Sequence, residues 1–86
     1  MPEICRFYGI VIRMYYDEHP PPHFHVYYQA AIATVRIDTL KVVRGILPRH
    51  ALALVVEWAL AHREELRQNW RRVELGKPLF PIAPLE

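Results

Sequence analysis

"DEHPPPHFHVYY", residues Asp17–Tyr28, decides the fold. Three consecutive prolines fix their own φ angles and offer no amide donors, so Asp17–Pro22 reads as a stiff turn that cannot join a sheet. Directly after it, Phe24, Val26 and Tyr28 alternate with His23, His25 and Tyr27. That period of two belongs to a half-buried strand. Upstream, Phe7–Tyr16 alternates in the same way and reads as a single strand. Tyr8, Ile10, Ile12, Met14 and Tyr16 fall on one of its faces, Arg13 and Tyr15 on the other.

Working outward, Ile32–Asp38 reads as a third strand with Ala33, Val35 and Ile37 facing in and Thr34 and Arg36 facing out. Lys41–Ile46 adds a short fourth strand, bent at Gly45. Pro48 suits a first helical turn. From Arg49 to about Arg72 the spacing is helical, with one apolar arc of Leu52, Val55, Val56, Ala59, Leu66, Trp70 and Val73. Gly76 and Pro78 stop the helix. Leu79, Phe80 and Ile82 would be poor choices for a free end, so the tail is expected to lie extended across the domain or a neighbour.

The expected architecture is one α+β domain over residues 1–86. An antiparallel sheet of three to four strands (about 5–46) is covered on one face by one long C-terminal helix (about 48–73), and an extended tail follows (76–86). The uncovered face then carries Arg13, Tyr15, His23, His25, Tyr27, Thr34 and Arg36.

Composition narrows the function classes. With 86 residues the chain can bury one modest core, and an apolar fraction of 52% excludes disorder. That fraction is high for a small domain, which points to apolar surface kept for a partner. Net charge is only +2, but nine of the eleven basic residues are arginine, the better group for planar recognition of phosphate or carboxylate. A single cysteine, Cys5, excludes an internal disulfide and a thiolate metal cage. "MPEICRFYGI" has no leader pattern, and the longest apolar run, "ALALVV", ends at Glu57, short of a membrane span. The expected setting is cytoplasmic, away from membranes, with no cofactor motif.

Three readings compete for the histidines. His23 and His25, two residues apart on a strand, present their rings to the same side, and His19 across the turn is a third candidate metal ligand, with Asp17 and Glu18 available to complete the set. Alternatively the same face is the kit for metal-independent RNA cleavage. His23 or His25 would be the acid or base with Tyr27 or Tyr15 as partner, and Arg13 and Arg36 would hold phosphate while tyrosine stacks on bases. The plainest reading is a rigid turn leading into a half-buried strand that meets a partner. No nucleophile elbow, glycine-rich phosphate loop or thiolate pair decides among them.

On the helix, Arg63 falls within the apolar arc beside His62, so its charge needs a partner such as Asp38 or a backbone carbonyl. Trp58 falls outside the arc beside Leu54 and Ala61, which predicts either an exposed interface tryptophan or packing against the tail.

Five segments carry a family resemblance: "MPEICRFYGIVIRMYY" (1–16), "PPHFHV" (21–26), "GILP" (45–48), "EWALAHREELRQNW" (57–70) and "GKPLFPIAPLE" (76–86). In these the chain resembles small bacterial proteins grouped as domain-of-unknown-function family 4160. The resemblance implies a gene encoded beside a second small uncharacterised family, in an arrangement similar to toxin–antitoxin pairs. It implies a small protein from the neighbouring gene as partner, a site at His23 and His25, and Arg63 and Trp70 as a helix signature. The leading expectation is a component of such a two-gene module that acts on or binds RNA. A non-enzymatic protein-interaction or metal-binding adaptor is the alternative, and self-association stays open.

Overall fold

A computed structural model describes residues Glu3–Glu86; Met1 and Pro2, at the head of the first resembling segment, lie outside the described residues. Five strands, β1 (Glu3–Phe7), β2 (Ile10–Arg13), β3 (His23–Tyr28), β4 (Ala31–Arg36) and β5 (Val42–Gly45), precede two helices, α1 (Arg49–Ala61) and α2 (Arg63–Leu75). The strands form one antiparallel sheet in the order β1-β2-β3-β4-β5, each paired with its sequence neighbour. The α+β class and the antiparallel sheet are as expected, but the sheet has five strands where three or four were expected.

The extra strand comes from Tyr8 and Gly9. Both have positive φ, 49° and 79°, and Phe7 pairs directly with Ile10. Two consecutive positive φ angles make a two-residue hairpin loop whose twist matches the flanking strands. The alternation through Phe7–Tyr16 is therefore two strands folded on each other. Tyr8, expected to face inward, sits in the turn and is 61% exposed. Ile10, Ile12 and Met14 do face the core. Tyr16, also expected inward, is exposed, and its hydroxyl donates to the Lys77 carbonyl at 2.8 Å.

The expected single helix is two helices of 13 residues each, broken at His62 (φ −126°, ψ 24°). There the His62 amide falls back to the Ala59 carbonyl, a tightened turn that ends α1. The break lets each helix aim its own stripe inward: Ala51, Val55, Trp58 and Ala59 from α1, and Leu66, Asn69, Trp70 and Val73 from α2. One averaged stripe drawn through a continuous helix left Trp58 outside the arc; of its two expected settings, packing against the tail is the one found, with the indole donating to the Ala83 carbonyl. It is fully buried, with its ring 5.5 Å from that of Phe7 and 6.1 Å from that of Phe24. Arg63 satisfies its expected need for a partner with a backbone carbonyl, that of Ile37 at 3.2 Å. Gly76 ends α2 in the left-handed conformation, as expected.

Both helices share one apolar cluster with the inward residues of the sheet, including Ile12, Phe24, Val26 and Val35. The tail returns along β1, where the Ile82 amide donates to the Ile4 carbonyl at 2.8 Å. The Trp58 indole donates to the Ala83 carbonyl at 2.8 Å, and Ile82 is buried. Among the described residues, no helix is long and apolar enough to cross a membrane.

Candidate functional site

Antiparallel pairing places a row of side chains across the face of the sheet that does not carry the core. Arg13 stands opposite His25, His25 opposite Thr34, and Thr34 opposite Arg44. Directly paired residues share a face, so these four form one line across β2 to β5. One step along, His23 pairs with Arg36. A shift in register between Thr34 and Val35, where Val42 and Arg44 pair but Val43 does not, brings Arg44 into this line.

The line opens into a groove of about 560 Å³, lined among others by Glu18, His23, His25, Thr34, Arg36 and Arg44. At its centre the Glu18 carboxylate meets both imidazoles: Oε1 contacts His25 Nε2 and lies 3.3 Å from His23 Nε2. Burial works to raise the Glu18 pKa, but hydrogen bonds from His25 and His23 outweigh it and hold the carboxyl below its ordinary value.

The tautomer of His23 follows from its other nitrogen. Nδ1 lies 2.8 Å from the Pro21 carbonyl, which can only accept, so Nδ1 carries the proton. In the neutral ring, Nε2 then presents a lone pair to the lone pairs of Glu18 Oε1. The pair is complete only with a cation between them, either a proton on His23 or a metal ion. His25 Nδ1 lies 3.4 Å from the Thr34 hydroxyl. The rings of Trp70 and Tyr15 wall the centre, Trp70 at 5.0 Å from His23 and Tyr15 at 5.0 Å from His25.

Arg36 forks onto Asp38 with Nε to Oδ1 at 2.9 Å and Nη2 to Oδ2 at 2.6 Å. The contact lowers the Asp38 pKa and raises that of Arg36. Arg44 forms no ion pair among the described residues.

The other candidates sit beside the groove. The Tyr15 and Tyr27 hydroxyls are 2.6 Å apart, and the Arg13 guanidinium lies 4.7 Å over the Tyr27 ring. The hydrogen bond to Tyr15, together with burial, raises the Tyr27 pKa, so this phenol keeps its proton at neutral pH. His19 is exposed on the groove wall, outside the cluster of Glu18, His23 and His25, whose ligand atoms all lie within 4.8 Å of one another. Asp17 is also exposed and outside that cluster. Sequence reasoning thus offered Glu18 only as one of two acids. Arg44 was missed altogether, because β-strand period alone does not reveal a bulge.

A family model described as "Domain of unknown function (DUF4160)" matches residues 9–71, which contain every residue of this centre. No curated protein and no solved structure matches the chain.

Proposed function

The chain belongs to the DUF4160 family, and from that premise we propose that it is the RNA-directed component of a two-gene, toxin–antitoxin-like module, working through the groove on the outer sheet face. The observation that carries the reading is that the Glu18–His23–His25 centre lines one groove together with two arginines, Arg36 and Arg44, from the neighbouring strands β4 and β5. Arginines lining the same groove can hold phosphate, and the centre would act on the adjoining ester. Arg13, Tyr15 and Tyr27 extend the surface on the β2 side, where an aromatic face can take an unpaired base. The gene-pair part of the reading comes from the family resemblance of the five sequence segments.

The test is induced expression of the chain alone and together with its neighbouring gene, followed by growth and RNA integrity. The expected result is growth arrest with RNA loss, relieved by the neighbour and abolished by His25→Ala. Normal growth and intact RNA at high expression would remove the toxin reading.

A second reading, a protein-interaction adaptor, has its own observation. The β1 edge is covered by the tail through Ile82, whereas the β5 edge has no strand beyond it among the described residues. Beside that edge, Val43 is 56% and Ile46 81% exposed. An open edge with apolar flanks suits a partner that adds a strand. A neighbour that binds the chain and is released by Val43→Lys, with RNA ignored, would put this reading first.

A further inference from the structure

We propose that Glu18, His23 and His25 bind one divalent first-row transition ion, Zn²⁺ being the simplest case, with an open coordination position facing the groove. The donor set is two imidazole nitrogens and one carboxylate oxygen. That mixture suits zinc and its neighbours and not magnesium or calcium, which favour oxygen alone. Three protein ligands with a free position toward a cavity is the arrangement of reactive zinc sites, whereas structural sites close all four.

The Glu18–His23 separation agrees with this assignment. Zinc–ligand bonds of about 2.05 Å at tetrahedral angles separate ligand atoms by roughly 3.3–3.4 Å. Glu18 Oε1 and His23 Nε2 are 3.3 Å apart, and all three ligand atoms fall within 4.8 Å. Glu18 and His25 touch more closely than two ligands of one ion, so the carboxylate must draw back when the ion enters. Glu18 can do so because it sits in the loop between β2 and β3, while both histidines are fixed on β3.

The outer contacts point the same way. A ligating histidine needs its second nitrogen tied by a hydrogen bond that sets the tautomer. His23 already has that arrangement, with Nδ1–H held by the Pro21 carbonyl and Nε2 turned toward Glu18 as the nitrogen that would ligate once it gives up any proton it shares with the carboxylate. His25 has the Thr34 hydroxyl at its Nδ1 to accept the corresponding proton. The side chains of His23, His25 and Glu18 are 13%, 18% and 24% exposed, half-sheltered yet open to the groove.

Such an ion goes beyond the RNA reading and does not require it. If RNA is the ligand, the ion would meet a phosphate in the groove that Arg36 and Arg44 also line, and the imidazoles would act as ligands in place of carrying protons.

The experiment uses the full chain, stripped with a chelator and titrated with Co²⁺ and Zn²⁺ alone. The expected result is one equivalent of Co²⁺ with visible d–d absorption, displaced by Zn²⁺. Excess Zn²⁺ should raise the melting temperature by several degrees, because an ion bound only to the native state stabilises it. His23→Ala, His25→Ala and Glu18→Gln should each weaken binding by roughly 100-fold or more, since even outer contacts of metal ligands carry 10- to 100-fold effects. His19→Ala should bind as the parent does. Absence of Co²⁺ absorption together with an unchanged melting curve in the parent overturns the site, and so does binding that survives the His23→Ala/His25→Ala double change. RNA affinity measured on the same samples separates the two ideas. RNA bound without metal leaves the groove reading intact, and metal bound without RNA affinity removes only that reading.

Discussion

The side-chain amide of Asn69 grips the backbone of Phe80 at both ends: Nδ2 donates to the Phe80 carbonyl at 2.9 Å, and Oδ1 accepts from the Phe80 amide at 3.1 Å. Asn69 is fully buried, so this pair fixes the tail against α2 with no water to substitute. Asn69→Ala leaves the Phe80 amide and carbonyl, both part-buried, without their partner, and unfolding in urea should show a loss of about 1–3 kcal/mol. Asn69→Asp should be no milder, because an ionised carboxylate cannot donate to the carbonyl. An unchanged urea midpoint in the alanine variant would mean the clasp adds nothing to stability.

Two glycines with similar φ angles should respond differently to alanine. Gly45 has φ 79°, and a Cβ there would meet the Ile32 carbonyl oxygen at 2.0 Å and the Ala33 Cα at 2.9 Å, both backbone atoms. Gly76 has φ 67°, with nothing within 4 Å of its Cβ position. Gly76→Ala should cost about 1 kcal/mol, the conformational penalty alone. Gly45→Ala should cost clearly more, because β5 must also move away from β4. Thermal unfolding of the two variants side by side checks the ranking, and equal losses would contradict the close approach.

Burial pushes the Cys5 thiol pKa above its ordinary value near 9.0, and Cys5 lies beneath the tail with Sγ 3.7 Å from the Ala83 carbonyl. A raised thiol pKa favours the protonated native state. The resulting stability is fully present below about pH 9 and is lost as pH rises through the folded value. At pH 8, alkylation of the native protein should be much slower than that of the urea-unfolded chain. Removing residues 81–86 should accelerate it. Fast native-state alkylation would mean that the tail does not shield the thiol.

On the proposed RNA surface, each arginine that meets phosphate releases counterions. Removing one should flatten the slope of log affinity against log salt by about 0.7 for a single strand. Arg44→Ala should show the full effect. Arg36→Ala should show less, because Asp38 already holds that guanidinium. Arg13→Ala tests the β2 side of the surface, while His25→Ala should spare binding and abolish cleavage. Fluorescence anisotropy with a labelled single-stranded oligoribonucleotide reads all four variants. Salt slopes equal to the parent's in every variant would remove the groove as an RNA site.

Local patterns in the chain determined much of this molecule. Period-two alternation is a property of neighbouring residues, so Phe24 and Val26 could be assigned inward and His23 and His25 outward without coordinates. Proline chemistry marked Asp17–Pro22 as a loop, and Gly76 marked the end of α2. The apolar tail announced that it had to be covered, and it lies against β1 and α2.

Other features depended on residues distant in the chain, and only the tertiary structure decided them. Alternation runs unbroken through Tyr8 and Gly9, so the hairpin there shows only in their backbone angles and in the pairing of Phe7 with Ile10. The break at His62 turns two stripes toward one core and takes Trp58 inside, because burial against Phe7 and Phe24 outweighs the continuation of a helix. Glu18 joins His23 and His25, while its neighbours Asp17 and His19 stay outside, because the path of the loop selects which side chain reaches β3. Arg44 reaches the groove through a one-residue slip between β4 and β5, and such a slip reverses which side chains face the core.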